Sequence, residues 1–142
     1  MILSSEQEMI RDMVREFAQA KVLPGAPDRS KNRTFPKDQI KQMAELGLLG
    51  MLVPEAYGGS ASGYLSFVLA MEEIAAADGA LSTILSVHSS PCTTALVKFG
   101  NDDQKQRFLK PMARGDVIGA FALTESGAGS DASAISTRAI KD

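Results

Sequence analysis

A chain of 142 residues, 44% hydrophobic and 23% charged, has the composition of one folded globular unit and not of a disordered segment. Its formal charge of -2 supplies no clustered excess of Lys and Arg, which excludes nucleic acid as a partner; Lys105, Arg107 and Lys110 lie among Asp102, Asp103 and Asp116 and read as a solvated helix face. A single cysteine forbids an intrachain disulfide, and no run approaches the roughly 18 apolar residues of a membrane span, so a reducing compartment is expected, the cytoplasm or alternatively the mitochondrial matrix.

Ser5-Glu6-Gln7-Glu8 has the form of a capping box and predicts a helix start at Ser5. Met9, Ile10, Met13, Val14, Phe17 and Ala18 recur at helical spacing until Pro24-Gly25 closes the pattern, and the polar residues 26–34 read as a loop. Pro36 fits the first position of a second helix carrying Ile40, Met43, Ala44 and Leu48, with Gly47 at its end. A short apolar run over 48–53 leads into turn chemistry from Pro54 to Ser60. A third helix with Leu65, Val68, Leu69, Met71 and Ile74 stops at Asp78-Gly79.

Residues 80–99 are apolar almost all round, which predicts the most buried helix of the bundle, kinked or broken at Pro91. Asn101 or Asp102 then caps a further helix with Phe108, Leu109 and Met112 facing inward, ended by Gly115-Asp116. Beyond it the character changes. Residues 117–124 form a β-compatible run, 125–131 a turn-rich loop, and 135–140 a returning strand. One or two strands do not make a stable sheet. The expected fold is therefore mainly α: a five-to-six-helix bundle over residues 1–116, followed by one or two strands of a truncated β-domain over 117–142.

The segment most suited to chemistry is Phe121-Ala122-Leu123-Thr124-Glu125-Ser126-Gly127-Ala128-Gly129-Ser130-Asp131. A strand running into a loop with two glycines can point several backbone amides at a phosphate, and Ser130 adds a hydroxyl. The alternative is a glycine-containing turn with Asp131 capping the residues after it, and loop chemistry alone leaves both open. A dinucleotide fingerprint is excluded, because the Gly-x-Gly-x-x-Gly spacing is missing.

This segment resembles the flavin-binding signature of the acyl-CoA dehydrogenase family, in which aromatic or apolar residues run into Thr-Glu-Pro-x-Ala-Gly-Ser-Asp. Phe35-Pro36, Glu45-Leu46-Gly47-Leu48-Leu49-Gly50, Val53-Pro54-Glu55-Ala56-Tyr57-Gly58-Gly59, Glu72-Glu73-Ile74-Ala75, Lys98-Phe99-Gly100 and Gln104-Lys105-Gln106 fall in the order and spacing of that family's helical amino-terminal domain. Ser86-Val87-His88-Ser89-Ser90 is most similar to the short-chain and branched-chain members. The resemblance covers essentially the whole chain and implies an orthogonal bundle, then a middle β-domain.

It further implies FAD as cofactor, an acyl-CoA substrate, electron-transfer flavoprotein as acceptor, and a homo-oligomer in the complete protein. Phe121, Leu123 and Thr124 would contact the isoalloxazine, Thr124 at its pyrimidine edge; Gly129 and Ser130 would approach the pyrophosphate, with Ser130 also touching the acyl-CoA. Ser126 departs from the family's usual Pro and relaxes the turn. The family's carboxylate base falls beyond position 142, so no catalytic residue is expected here: Glu72 and Glu73 read as helix surface, Glu125 as part of the turn, Asp131 as a cap. No metal-ligand set is expected. His88 and Cys92 read as core residues. Two other readings stay open, a stand-alone helical interaction module and an acyl-CoA oxidase or flavin monooxygenase of the same architecture.

Overall fold

The computed structural model describes residues 2–140. Met1, the first residue of the expected helical domain, and Lys141 and Asp142, the last of the expected β-segment, lie outside the described residues. Helix α1 (Ser5–Phe17) is capped one position earlier than expected, by Ser4. The Ser4 hydroxyl accepts from the Gln7 amide at 3.2 Å, and Gln7 Oε1 accepts from the Ser4 amide at 3.0 Å. Ser4-x-x-Gln7 and Ser5-x-x-Glu8 overlap by one register, and the structure uses the first.

The helical path does not stop at Pro24. It passes through a wide π-type turn over Ala18–Val22 and a 3-10 turn over Leu23–Gly25, then continues as α2 (Ala26–Asn32), where a loop is expected from the polar sequence. Proline has no amide, and its ring collides with the carbonyl four residues back. A turn holding one extra residue moves that carbonyl aside. Here the Leu23 amide bonds Ala18, five residues back. The same solution recurs at Pro91, within the wide turn His88–Thr93, and beside Pro111, after the wide turn Lys105–Leu109. The Thr94 and Lys110 amides bond Ser89 and Lys105 in the same five-residue pattern. The expected break at Pro91 is thus a widening.

Polar α2 is held by one long-range link. Arg29 donates to the Val22 carbonyl at 2.7 Å and pairs with Asp78 Oδ2 at 2.9 Å. Asp78 in turn caps helix α5 (Gly79–Val87), Oδ1 accepting from the Ala80 and Leu81 amides at 3.0 and 3.1 Å. Burial alone would raise the Asp78 carboxyl, but the Arg29 guanidinium and the capped amides outweigh it and hold it below the ordinary carboxylate range.

Helix α3 (Lys37–Glu45) has Pro36 as its cap residue, not its first residue, and ends at Gly47, whose φ of 75° suits a residue without Cβ. The chain then buries Leu48, Leu49, Met51 and Val53 in tight turns. Helix α4 (Gly63–Ala77) is the centre of the bundle, burying Phe67, Leu69, Ala70, Ile74 and Ala77 between α1 and α5. Glu73 ties it to α1 through a two-pronged pair with Arg15, at 2.7 and 3.1 Å.

The expectation that residues 80–99 are the most buried helix is corrected. α5 buries Leu81 and Leu85, but α6 (Thr94–Phe99) has no buried residue and Phe99 is 77% exposed. The extra residue of the wide turn shifts the helical phase, so the apolar positions beyond it leave the main core. Leu96 and Val97 pack instead on a second cluster of Val53, Leu109 and Ala113. Asn101 caps α7 (Asp102–Gln104) in a reciprocal capping box with Gln104. Of the three residues expected to face inward near α8 (Lys110–Ala113), Leu109 and Met112 are buried but Phe108 is exposed, since neighbours in a helix point about 100° apart.

Among the described residues, 117–140 contain no strand. The reciprocal bonds of Glu125 with Ala128 and a 3-10 turn over Ala132–Ala134 are their only regular features. Apolar, β-branched sequence supplies the propensity, but a strand exists only where a second backbone takes up its hydrogen bonds.

Asp78→Ala removes a helix cap and leaves Arg29 without its carboxylate, so urea unfolding is expected to show a loss of about 3 kcal/mol. Asp78→Asn, which keeps an acceptor for the cap, is expected to lose about half as much.

Candidate functional site

Residues 117–131 meet the bundle at one polar contact. The Gly119 amide donates to His88 Nδ1 at 3.1 Å, and His88, at the start of the wide turn around Pro91, is completely buried. The backbone lies very close here. A Cβ on Gly119 would sit 2.5 Å from Met112 Cε and 2.6 Å from Cys92 Cβ. Burial pushes the His88 imidazole below its ordinary range; the Met112 and Leu49 carbonyls oppose that fall, yet neither closes a hydrogen bond to Nε2, which is buried and unpaired among the described residues. Because Nδ1 accepts, the ring proton of the neutral form sits on Nε2.

From Gly119 the chain runs outward. Phe121 is 52% exposed and separates two apolar hollows, one of about 430 Å³ beside Phe35, Ile84 and Val87, the other of about 300 Å³ beside Cys92, Phe108 and Met112. Leu123 is 47% exposed, and Thr124 follows it into solvent. Glu125 and Ala128 exchange both backbone hydrogen bonds at 3.1 Å, so Thr124 and Gly129 flank the closed turn and Ser130 comes next. Thr124 and Ser130 are exposed, and neither hydroxyl has a partner among the described residues. A Cβ at Gly127 or Gly129 would meet nothing within 4 Å, so the chain's own packing gives no reason for glycine there, in contrast to Gly119. Asp131 caps the 3-10 turn through the Ser133 amide at 3.1 Å, the role the sequence suggests for it.

Glu125 does more than turn the chain. One carboxylate oxygen accepts from the Ser136 amide and hydroxyl, both at 2.9 Å, and the other from the Thr137 amide at 2.9 Å and the Thr137 hydroxyl. Donation by the Thr137 hydroxyl, then by the Ser136 amide and hydroxyl, favours the charged form and lowers this carboxyl to about 2. The carboxylate therefore staples the two ends of the loop. Partners eleven and twelve residues away leave no periodic trace in the sequence, which is why this role is not legible there.

The other groups weighed from sequence are occupied or ordinary. Glu73 is held by Arg15, Glu72 is exposed on α4, and burial pushes the Cys92 thiol up, away from the nucleophilic thiolate. No helix among the described residues is long and apolar enough to cross a membrane.

Residues 4–116 match the acyl-CoA dehydrogenase N-terminal domain. The chain belongs to the acyl-CoA dehydrogenase family. It is 45% identical over 141 residues to an acyl-CoA dehydrogenase of Bacillus subtilis (strain 168), a match covering 99% of this chain and 37% of that protein. It is 40% identical over 138 residues to the short-chain specific acyl-CoA dehydrogenase of Clostridium acetobutylicum, covering 97% of this chain and 36% of that one. Among solved structures it is similar to the acyl-CoA dehydrogenase complexed with FAD from Bacillus anthracis, with a TM-score of 0.86 and 36% identity over 94% of this chain and 23% of that chain. The chain thus spans little more than a third of the curated acyl-CoA dehydrogenases it matches.

The Glu125 carboxyl, lowered from its ordinary 4.5 to about 2, contributes stability that is complete above the ordinary value and is lost as pH falls through about 2. The Ser136 and Thr137 amide resonances are accordingly expected to hold their positions from about pH 6 down to about pH 3 and to move only below that. In Glu125→Gln they should already be displaced at neutral pH.

Proposed function

We propose that residues 117–131 are the first flavin-contacting segment of an FAD-dependent acyl-CoA dehydrogenase, residues 1–116 its helical amino-terminal domain, and residues 117–142 the opening of its middle β-domain. The observation that carries this reading is the pairing, on one outward-running segment, of exposed apolar Phe121 and Leu123 with the free hydroxyls of Thr124 and Ser130. A flat apolar ring with a hydrogen-bonding edge and a phosphate tail needs that set of groups. FAD in the Bacillus anthracis relative supports the same cofactor.

Bound FAD supplies a hydride acceptor. Phe121 and Leu123 offer apolar surface against its ring and exclude water from it. The Thr124 hydroxyl donates at the ring edge, where a preorganised donor stabilises negative charge developing during reduction. Gly129, which has open space where a Cβ would stand, lets backbone amides approach the pyrophosphate, and the Ser130 hydroxyl serves both that group and the acyl-CoA.

The reaction is removal of an α-proton from the thioester with transfer of a β-hydride, giving the trans-2-enoyl-CoA. None of the carboxylates considered is placed for proton abstraction: Glu73 and Glu125 are fully engaged, Asp131 caps a turn, and Glu72 stands on the outer face of α4. The base therefore belongs to another part of the protein, and the 142 residues alone are inactive. A short-chain acyl-CoA as substrate, electron-transfer flavoprotein as acceptor and a homo-oligomeric state complete the proposal, supported by the short-chain specific Clostridium relative.

The full-length protein carrying this chain is expected to purify yellow with FAD and to be bleached anaerobically by a short acyl-CoA such as butyryl-CoA. Thr124→Ala should slow that bleaching by about a hundredfold, the usual loss for one donor to developing charge. A full-length protein that takes up no flavin overturns the proposal.

A further inference from the structure

The geometry points to His88 as a positioning residue for the flavin segment: it fixes the placement of Phe121, Leu123 and Thr124 by anchoring the Gly119 amide, without itself touching the flavin. This inference rests on the flavin reading above. Among the described residues, the Gly119–His88 bond is the only hydrogen bond that joins residues 117–124 to the helices. It lies two residues before Phe121, and at about 3.3 Å per residue the Phe121 backbone hangs no more than about 7 Å from the anchor.

Three features make the contact a latch. The imidazole is completely buried, and a buried polar ring is costly unless it is bonded, so the interior that encloses His88 also favours capture of the Gly119 amide. The approach is enforced sterically, because Met112 Cε and the Cys92 side chain occupy the space a Cβ on Gly119 would need, which fixes the backbone between helix and side chain. Lastly, the anchor stands on the wide turn forced by Pro91, inside the continuous helical path from Gly79 to Phe99, so it moves only if that path moves. The acceptor role requires a neutral ring, and burial keeps it so.

The test uses the FAD-loaded full-length protein with two substitutions, His88→Leu, which keeps bulk without an acceptor, and His88→Asn, which keeps an acceptor near the Nδ1 position. Loss of one buried acceptor is expected to raise hydrogen exchange over residues 117–124 and the FAD dissociation constant each by about tenfold in His88→Leu. His88→Asn is expected to restore both to within about threefold, and exchange in α4 is expected to stay unchanged in both. Unchanged exchange and unchanged FAD affinity in His88→Leu overturn the latch, as does His88→Asn failing as badly as His88→Leu, which would mark a packing role alone. If His88→Leu does not fold, Gly119→Ala, which strains the contact from the loop side, must raise exchange over 117–124 by a similar factor or the latch is overturned. Wild-type protein without flavin instead overturns the flavin reading, while the exchange measurement still decides whether the anchor exists.

Discussion

A helix that is apolar on nearly every side cannot stand in water, and α4 is such a helix. Ile74 and Ala70 are completely buried, and Phe67, Leu69 and Ala77 nearly so, which demands cover on more than one flank. α1 covers one flank and α5 the other. The two-residue reversal at Asp78-Gly79 makes the second possible, because Asp78 ends α4, caps α5 and reaches Arg29 of α2 with one side chain. Much of the polar periphery is thus organised by the need to enclose a single apolar rod.

Proline is the second organising constraint. Three of the six prolines, Pro24, Pro91 and Pro111, lie in or beside wide turns, and the helical path survives each of them. The turn at Pro91 matters most for function, since it carries His88 to the place where the flavin segment leaves the bundle. The hydroxyls of Thr93 and Thr94 both donate to the Ser89 carbonyl, at 2.7 and 3.0 Å, and so occupy the acceptor that the irregular turn offers. A helix defect and a candidate cofactor contact are in this way parts of one local structure.

How far apart the cooperating residues lie decides how much of the structure can be read from the sequence. The helices around Met13, Ile40 and Ile74 rest on periodic apolar positions and are legible, as is the outward course of residues 121–131 from its glycine and hydroxyl content. The helix over 26–32 is not, because its support comes from Arg29 and Asp78, 49 residues apart, and its own composition is polar. The cap stands at Ser4 and not Ser5 because two equivalent boxes overlap. Phe108 and Leu109 cannot both face inward, and only packing on Val53 and Ala113 selects Leu109. Residues 117–124 have the composition of a strand, but pairing is a property of two segments and cannot be read from one. The staple from Glu125 to Ser136 and Thr137 belongs to the same class of long-range facts.

Each wide turn stores one surplus residue. Deleting any single residue between 88 and 93 would leave a smooth helix of ordinary pitch, yet it would swing everything from Thr94 onward by roughly 100° about the axis. Leu96 and Val97 would then point away from Val53 and Leu109, and the second cluster would lose one wall. In this stretch the residue count is itself a structural parameter: a conservative exchange of side chains is tolerated where a one-codon deletion is not.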